Sequence, residues 1–136
     1  MPVAIFVIIV MGAFAATMSR TTTQTTIASV QEGVSVQAFF AAESGAQSAM
    51  STLFYSDPTR ATADAACAAL NVDVDPIITF SVSGLDNCDA SLSCAATNDA
   101  ANTTSYYRIV SVGHCGGGDV QSTRTVEVSS FIQDTE

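Results

Sequence analysis

Residues 2–18 read PVAIFVIIVMGAFAATM, a run of 17 residues without a charged side chain. Pro2 is tolerated at the start of a helix, where its missing N–H would be unpaired in any case. At about 1.5 Å per residue the run reaches roughly 25 Å as a helix, somewhat less than the roughly 30 Å of a bilayer core. We therefore predict that residues 1–18 are the transmembrane half of a long N-terminal helix, and the shortfall favours a native start upstream of Met1.

The apolar run also fits a secretory signal that is cleaved. Ala13, Phe14 and Ala15 match the small-x-small cleavage pattern, but residues 1–6 contain none of the basic side chains that precede such a core. Small residues in the second half of the run would equally let another helix approach closely: Gly12, Ala13, Ala15 and Ala16. A retained anchor and a cleaved signal therefore both stay open.

Helical periodicity continues beyond the run. Residues 19–26 are polar and rich in Thr, a poor helix former, so they form either a melted joint or a continuous helix. Apolar residues then recur at helical spacing to residue 55, which predicts the periplasmic half of the helix over residues 19–55. The apolar face is broader than one stripe, which predicts one partner in the chain's own domain and another in neighbouring subunits or lipid. The predicted assembly helix uses Ile5, Phe6, Ile8, Ile9, Phe14, Ile27, Val34, Phe39 and Phe40.

Charge and cysteine content limit the function classes. The net charge is −9, with no Lys and four Arg, so phosphate backbones would repel the chain and nucleic acid is excluded as a partner. All four Cys follow the helix and lack the close pairs of a zinc ribbon. They predict disulfides in an oxidising, extracytoplasmic compartment, which a small domain over residues 56–136 would need for stability.

Alternation with a period of two predicts strands in the C-terminal part. Residues 77–83 alternate apolar with polar side chains, and a turn over residues 84–87 leads to a second strand in which Ala90, Leu92 and Cys94 share one face. A polar loop over residues 97–104 precedes a third strand at 106–112, and the last strand places three residues on one face: Arg124, Val126 and Val128. The sequence therefore predicts an α+β fold, with a four-stranded antiparallel meander covering the second half of the helix.

The register of these strands favours one cysteine pairing. If the second and third strands fold about residue 100 or 101, Cys88 comes close to Cys115. If the first two strands fold about residue 85 or 86, Cys94 comes near Ile77, where the segment with Cys67 enters. We therefore predict Cys67 with Cys94 and Cys88 with Cys115, over Cys67 with Cys88 and Cys94 with Cys115.

Residues that could support catalysis or bind a metal are few. His114, the single histidine, adjoins Cys115, but neighbouring strand residues point to opposite faces and cannot act as base and nucleophile. Asn71, Asp73 and Asp75 would point the same way in an extended segment, a calcium hypothesis that lacks the EF-hand spacing. We predict no enzyme activity, no cofactor and no catalytic residues.

Three groups of residues together resemble a known family. They are IFVIIVM at 5–11, AFFAAESGA at 38–46, and a C-terminal pattern of Cys88, Cys94, Tyr106-Tyr107-Arg108, Cys115 and RTVEV at 124–128. Across nearly the whole chain they resemble the minor pilins of the MshP family, biogenesis proteins of the mannose-sensitive haemagglutinin (MSHA) type IV pilus. The basic leader and the Glu at the fifth mature position of the major pilins are not in this sequence.

The resemblance implies a type IV pilin-like fold and a structural, non-enzymatic role. Such a subunit is held in the bacterial inner membrane with a periplasmic head, and helix packing then incorporates it into an extracellular pilus. The implied partners are other pilin subunits, the pilus assembly machinery and inner-membrane lipid.

Two other functions fit the sequence. One is an exported adhesion domain that touches carbohydrate or a host surface through Tyr106 and Tyr107, with a cleaved N-terminal signal. The other is a pseudopilin of type II secretion, for which the same physical arguments about the helix and the head hold. Cleavage near Ala15 or Ala16 favours the exported domain, and retention of the apolar run favours the filament subunit.

Overall fold

The computed structural model describes residues 2–55, 58–71 and 77–134. The chain divides into two compact units, Met1–Gly33 and Val34–Glu136. The described residues form two helices, α1 (Pro2–Phe54) and α2 (Arg60–Ala69), and four strands: β1 (Ile77–Thr79), β2 (Cys88–Asn98), β3 (Thr104–Gly117) and β4 (Val120–Gln133). The predicted α+β class is confirmed.

The first unit is formed by the N-terminal part of α1. α1 is unbroken through the polar tract at residues 19–26. The continuous helix is therefore confirmed, and the melted joint is not. Every side chain over residues 3–19 is exposed. The sequence predicts a membrane span over residues 1–18; judged over the described residues, however, no helix is both long and apolar enough to cross a membrane.

The second unit contains the sheet, whose strand order is β1-β2-β3-β4 with antiparallel neighbours throughout. The predicted meander is therefore confirmed. Gly118 and Asp119 form a two-residue hairpin turn between β3 and β4, since Gly117 pairs with Val120. Gly116 and Gly118 have φ of 96° and 60°, a region that glycine enters without the steric cost of a side chain.

The predicted first strand is too long. β1 ends at Thr79, and the chain turns over residues 82–87, where Gly84 and Asn87 have φ of 94° and 61°. Val82, predicted to be half-buried, is 56% exposed. Ile77 pairs with Ser91, so this hairpin folds about residue 84 and the predicted register is wrong.

The second and third strands are longer than predicted. β2 runs to Asn98 and β3 begins at Thr104, which shortens the predicted loop to residues 99–103. Asp99 organises this loop, since its carboxylate accepts hydrogen bonds from the backbone N–H groups of Thr103 at 2.7 Å and Thr104 at 3.0 Å. The hydrogen bond from the Thr104 amide is the main cause that lowers the pKa of Asp99.

Small residues allow the second part of α1 to lie very close to the sheet. A side chain at Gly113 of β3 would clash with the carbonyl oxygen of Ala38 and lie 2.5 Å from the backbone nitrogen of Ala42. One at Gly45 of α1 would lie 2.5 Å from the Ser111 hydroxyl. The remaining helix surface in this contact is also small and buried: Ala38, Ala41, Ala42, Ala46 and Ala49.

Larger side chains fill the two ends of this contact. At one end Tyr107 and Ile109 of β3 pack with Leu53 of α1, and the Tyr107 ring meets Phe54 edge-on at 5.6 Å between centroids. At the other end the Cys88 and Cys115 side chains pack with Ala38, Ala41 and Val34. The second unit thus has two apolar clusters of its own, in which burial of apolar surface stabilises the fold.

Candidate functional site

The predicted assembly helix separates into two groups of residues. In the first unit its six predicted residues are 56–71% exposed: Ile5, Phe6, Ile8, Ile9, Phe14 and Ile27. These side chains point in all directions around α1, as do their apolar neighbours Val3, Val7, Val10 and Met11. A helix that is apolar all round normally lies in the interior of a larger structure.

The assembly residues predicted in the second unit behave differently. Val34 is half-buried and packs against the cluster of buried residues that contains Cys88 and Cys115. Phe39 and Phe40 are 47% and 52% exposed and meet edge-on at 6.0 Å between centroids. They lie on the side of α1 that faces away from the sheet.

Two disulfides cross-link the second unit, and their pairing is the one predicted from the sequence. Cys88 and Cys115 lie directly opposite each other on β2 and β3, with 4.2 Å between their Cα atoms. Cys67 of α2 is bonded to Cys94 of β2, with 5.3 Å between their Cα atoms. The second bond fixes α2 against the sheet.

A polar cluster missed by the sequence analysis also holds α2. The Tyr107 hydroxyl donates a hydrogen bond to Asp64 at 2.7 Å, and the Ser105 hydroxyl donates to the same carboxylate at 3.3 Å. Arg60, one turn earlier on α2, forms an ion pair with Asp134 at 3.0 Å. Burial, and secondarily the Asp64 hydrogen bond, raises the pKa of Tyr107, so this hydroxyl stays protonated.

The helical spacing of the α2 residues could have predicted part of this cluster. Arg60 and Asp64 are four residues apart, and Asp64 and Cys67 are three apart, so all three lie on one face of α2. Their partners on β3 lie more than 40 positions away in sequence, and nothing in the sequence pattern identifies them.

The calcium hypothesis has no support in the described part of the chain. The Asn71 side chain donates to the Cys94 carbonyl and accepts from the Cys94 N–H at 3.0 Å, as a neighbouring strand would. Asp73 and Asp75 lie outside the described residues. Among the residues that are described, no group of three or more His, Cys, Asp or Glu side chains could hold a metal ion.

The side chain of His114 lies on the outer face of the sheet, away from the helices. Its Nδ1 is 3.5 Å from Asp89 and its Nε2 is 3.4 Å from the Gln121 side chain. Cys115 points to the opposite, buried face and is oxidised. The predicted placement of these two neighbouring side chains on opposite faces of the strand is therefore confirmed.

The two neighbouring tyrosines also point to opposite faces. Tyr107 is 1% exposed, and its ring belongs to the core. Tyr106 is 51% exposed and its ring lies 6.2 Å from that of Phe131 on β4. Next to this pair, Arg108 binds Glu127 through two hydrogen bonds of 2.6 Å. Arg108 thereby lowers the pKa of Glu127, and the pair stays ionised.

The described residues offer two exposed surfaces. One is the exposed apolar part of α1 in the first unit. The other lies on the outer face of the sheet in the second unit and is formed by Tyr106 and Phe131, which we call the aromatic corner. In comparisons with known proteins, the chain matches no family model, no curated protein and no solved structure.

Proposed function

We propose that this chain is a structural subunit of a type IV pilus-like filament, in which the first part of α1 packs among the helices of other subunits. The observation that supports the proposal is the exposure of large apolar side chains on every side of α1 over residues 3–18. Such a surface is costly in water, since each fully covered Val, Ile or Phe contributes about 1.5–3 kcal/mol.

The second unit does not need these side chains for its own stability. It has two buried apolar clusters, two disulfides and a polar cluster that fixes α2. The apolar run is therefore available to other molecules. Before assembly lipid covers it, and after assembly the helices of neighbouring subunits replace the lipid.

The resemblance to MSHA minor pilins supports a filament of the type IV pilus kind. The two disulfides fit a head that matures in an oxidising compartment outside the cytoplasm. The acidic surface, with a net charge of −9, fits a head exposed to solvent and opposes contact with nucleic acid.

A polar substitution within the apolar run tests this role. Ile9→Asn places an amide in the middle of the run, and we expect the variant to be depleted at least about tenfold from sheared filaments, because an unpaired amide in an apolar contact costs at least about 1.4 kcal/mol. The measurement is quantitative mass spectrometry of the filament fraction, normalised to the amount of the chain in whole cells.

Val82→Asn is the matched control, since Val82 is similarly exposed but lies in a turn of the second unit. We expect this variant to enter filaments at the wild-type level. Equal incorporation of both variants, or a filament-associated chain that lacks the apolar run, would contradict the proposal.

A further inference from the structure

The outer face of the sheet has an aromatic corner that is separate from the assembly helix. Tyr106 and Phe131 lie opposite each other on β3 and β4, at 51% and 62% exposure. Their ring planes are inclined at 40°, so that neither ring covers the face of the other. Two adjacent exposed rings form an apolar patch of the kind that marks binding surfaces.

A fixed pair of charged groups lies beside these rings. Arg108 follows Tyr106 by two positions on β3, so the two side chains share the outer face. Its Nε and Nη2 donate to the two oxygens of Glu127, and the side chains of the pair remain 63% and 45% exposed. The two-point contact orients both groups, while the third guanidinium nitrogen and the outer lone pairs of the carboxylate can bind a ligand.

Small residues leave an indentation between these groups. It has a volume of about 400 Å³ and is lined by Ala95, Thr97, Tyr106, Tyr107, Arg108, Ser129 and Ser130. The exposed hydroxyl groups of Thr97 and Ser129 lie at its sides. A volume of several hundred Å³ with an aromatic wall and a few oriented polar groups matches a small-molecule site.

We propose that this indentation binds the pyranose rings of a neutral glycan. The apolar C–H face of a pyranose stacks on the Tyr106 ring, while two adjacent sugar hydroxyls accept from Arg108 and donate to Glu127. Thr97 and Ser129 provide further hydrogen bonds to the ring substituents. The ligand is neutral because the chain has a net charge of −9 and repels anionic sugars.

The size of the surface favours a glycan over a protein. A stable protein interface covers roughly 800 Å² on each partner around an apolar centre. Here two large apolar side chains are exposed, Tyr106 and Phe131, while Val110 and Val112 on the same face are half-buried. The residues opposite β3 in this region are small or polar: Ser91, Ser93, Ala95, Thr97 and Ser129. The site is independent of the proposed filament role, since none of its residues belongs to α1.

Titration by two-dimensional NMR tests the site. The full chain is kept in a detergent without a sugar head group and titrated with cellotriose, maltotriose and triacetylchitotriose. We expect saturable shifts for at least one of these sugars at the amides of residues 95–97, 106–108 and 129–131. Tyr106→Ala should weaken that binding at least about tenfold, because the stacking surface is lost.

Two controls make the result specific. Tyr55→Ala removes a tyrosine that is 80% exposed at the end of α1, and we expect unchanged affinity. Sialyllactose, a trisaccharide with a carboxylate, should bind at least about tenfold more weakly than the neutral sugar. The proposal is overturned if none of the neutral sugars gives saturable shifts, if the shifts survive Tyr106→Ala, or if sialyllactose binds equally well.

Discussion

Two parts of the same helix have opposite environments. Residues 3–18 of α1 carry Ile, Val, Phe and Met side chains and are exposed throughout, whereas residues 38–53 carry mostly Ala, Gly and Ser and supply most of the helix side of the core. Hydrophobicity alone therefore does not determine which part of α1 the rest of the chain covers. Burial follows the close fit that small residues permit against Gly113, Ala90 and Ser111 of the sheet.

The difference assigns separate roles to the two parts. The second part stabilises the head through contacts that are already complete, so substitutions there should change the free energy of unfolding. The side chains of the first part are exposed, so substitutions there should change assembly and leave the head stable. The predictions below follow this division, from the largest expected effect to the smallest.

Removal of a disulfide should have the largest effect on the second unit. For the double variant Cys67→Ala/Cys94→Ala we expect a loss of about 3.5 kcal/mol in unfolding free energy, because the 27-residue separation sets the loop entropy that the bond removes from the unfolded chain. The measurement is urea unfolding of the full chain in detergent, followed by near-ultraviolet circular dichroism of the tyrosines.

The second disulfide is a matched comparison, since Cys88 and Cys115 have the same separation of 27. Loop entropy predicts the same loss in unfolding free energy for Cys88→Ala/Cys115→Ala. Any difference between the two double variants then measures the packing around each disulfide. A loss below about 1 kcal/mol in both double variants would show that the head does not depend on its cross-links.

The close contact between helix and sheet should be nearly as sensitive. For Gly113→Ala we expect a loss of about 3 kcal/mol, because the new methyl group meets the backbone of α1 at Ala38 and Ala42, which cannot rotate away. Gly117→Ala, at the end of the same strand with open space around it, should be neutral. If both variants unfold at the wild-type urea midpoint, the small-residue contact does not hold the helix.

Two buried serines on β3 should respond in opposite directions. Ser111 has no hydrogen-bond partner for its buried hydroxyl among the described residues, so Ser111→Ala should be neutral or stabilise the head by about 1 kcal/mol. Ser105 bonds to Asp64 and Asn98, so Ser105→Ala should destabilise it by about 1 kcal/mol. Thermal unfolding of both variants measures the difference, and a loss at Ser111 equal to that at Ser105 would contradict the assigned environments.

The sequence predicted the class, the strand order and the cysteine pairing because each depends on a local pattern. Alternation placed Ala90, Leu92 and Cys94 on one face, and folding β2 on β3 about their loop brought Cys88 opposite Cys115. The pair Cys67 and Cys94 was predicted from a hairpin register that is wrong. It is nevertheless correct, because α2, which carries Cys67, lies directly against β2.

The remaining errors arise where long-range packing overrides a local pattern. Val82 continues the alternation of β1, but β1 ends at Thr79 and the chain already turns over residues 82–87. The bond between Tyr107 and Asp64 joins residues 43 positions apart, a distance at which sequence patterns contain no information about contacts.

The measurement that tests the comparison most directly is photo-crosslinking inside assembled filaments. The photoreactive residue p-benzoylphenylalanine is placed at position 9, in the exposed part of α1, or at position 82, in the turn of the second unit. We expect ultraviolet light to join position 9 to the α1 helix of another subunit and to leave position 82 unlinked. Filaments in which position 9 forms no such adduct, while position 82 does, would contradict the account.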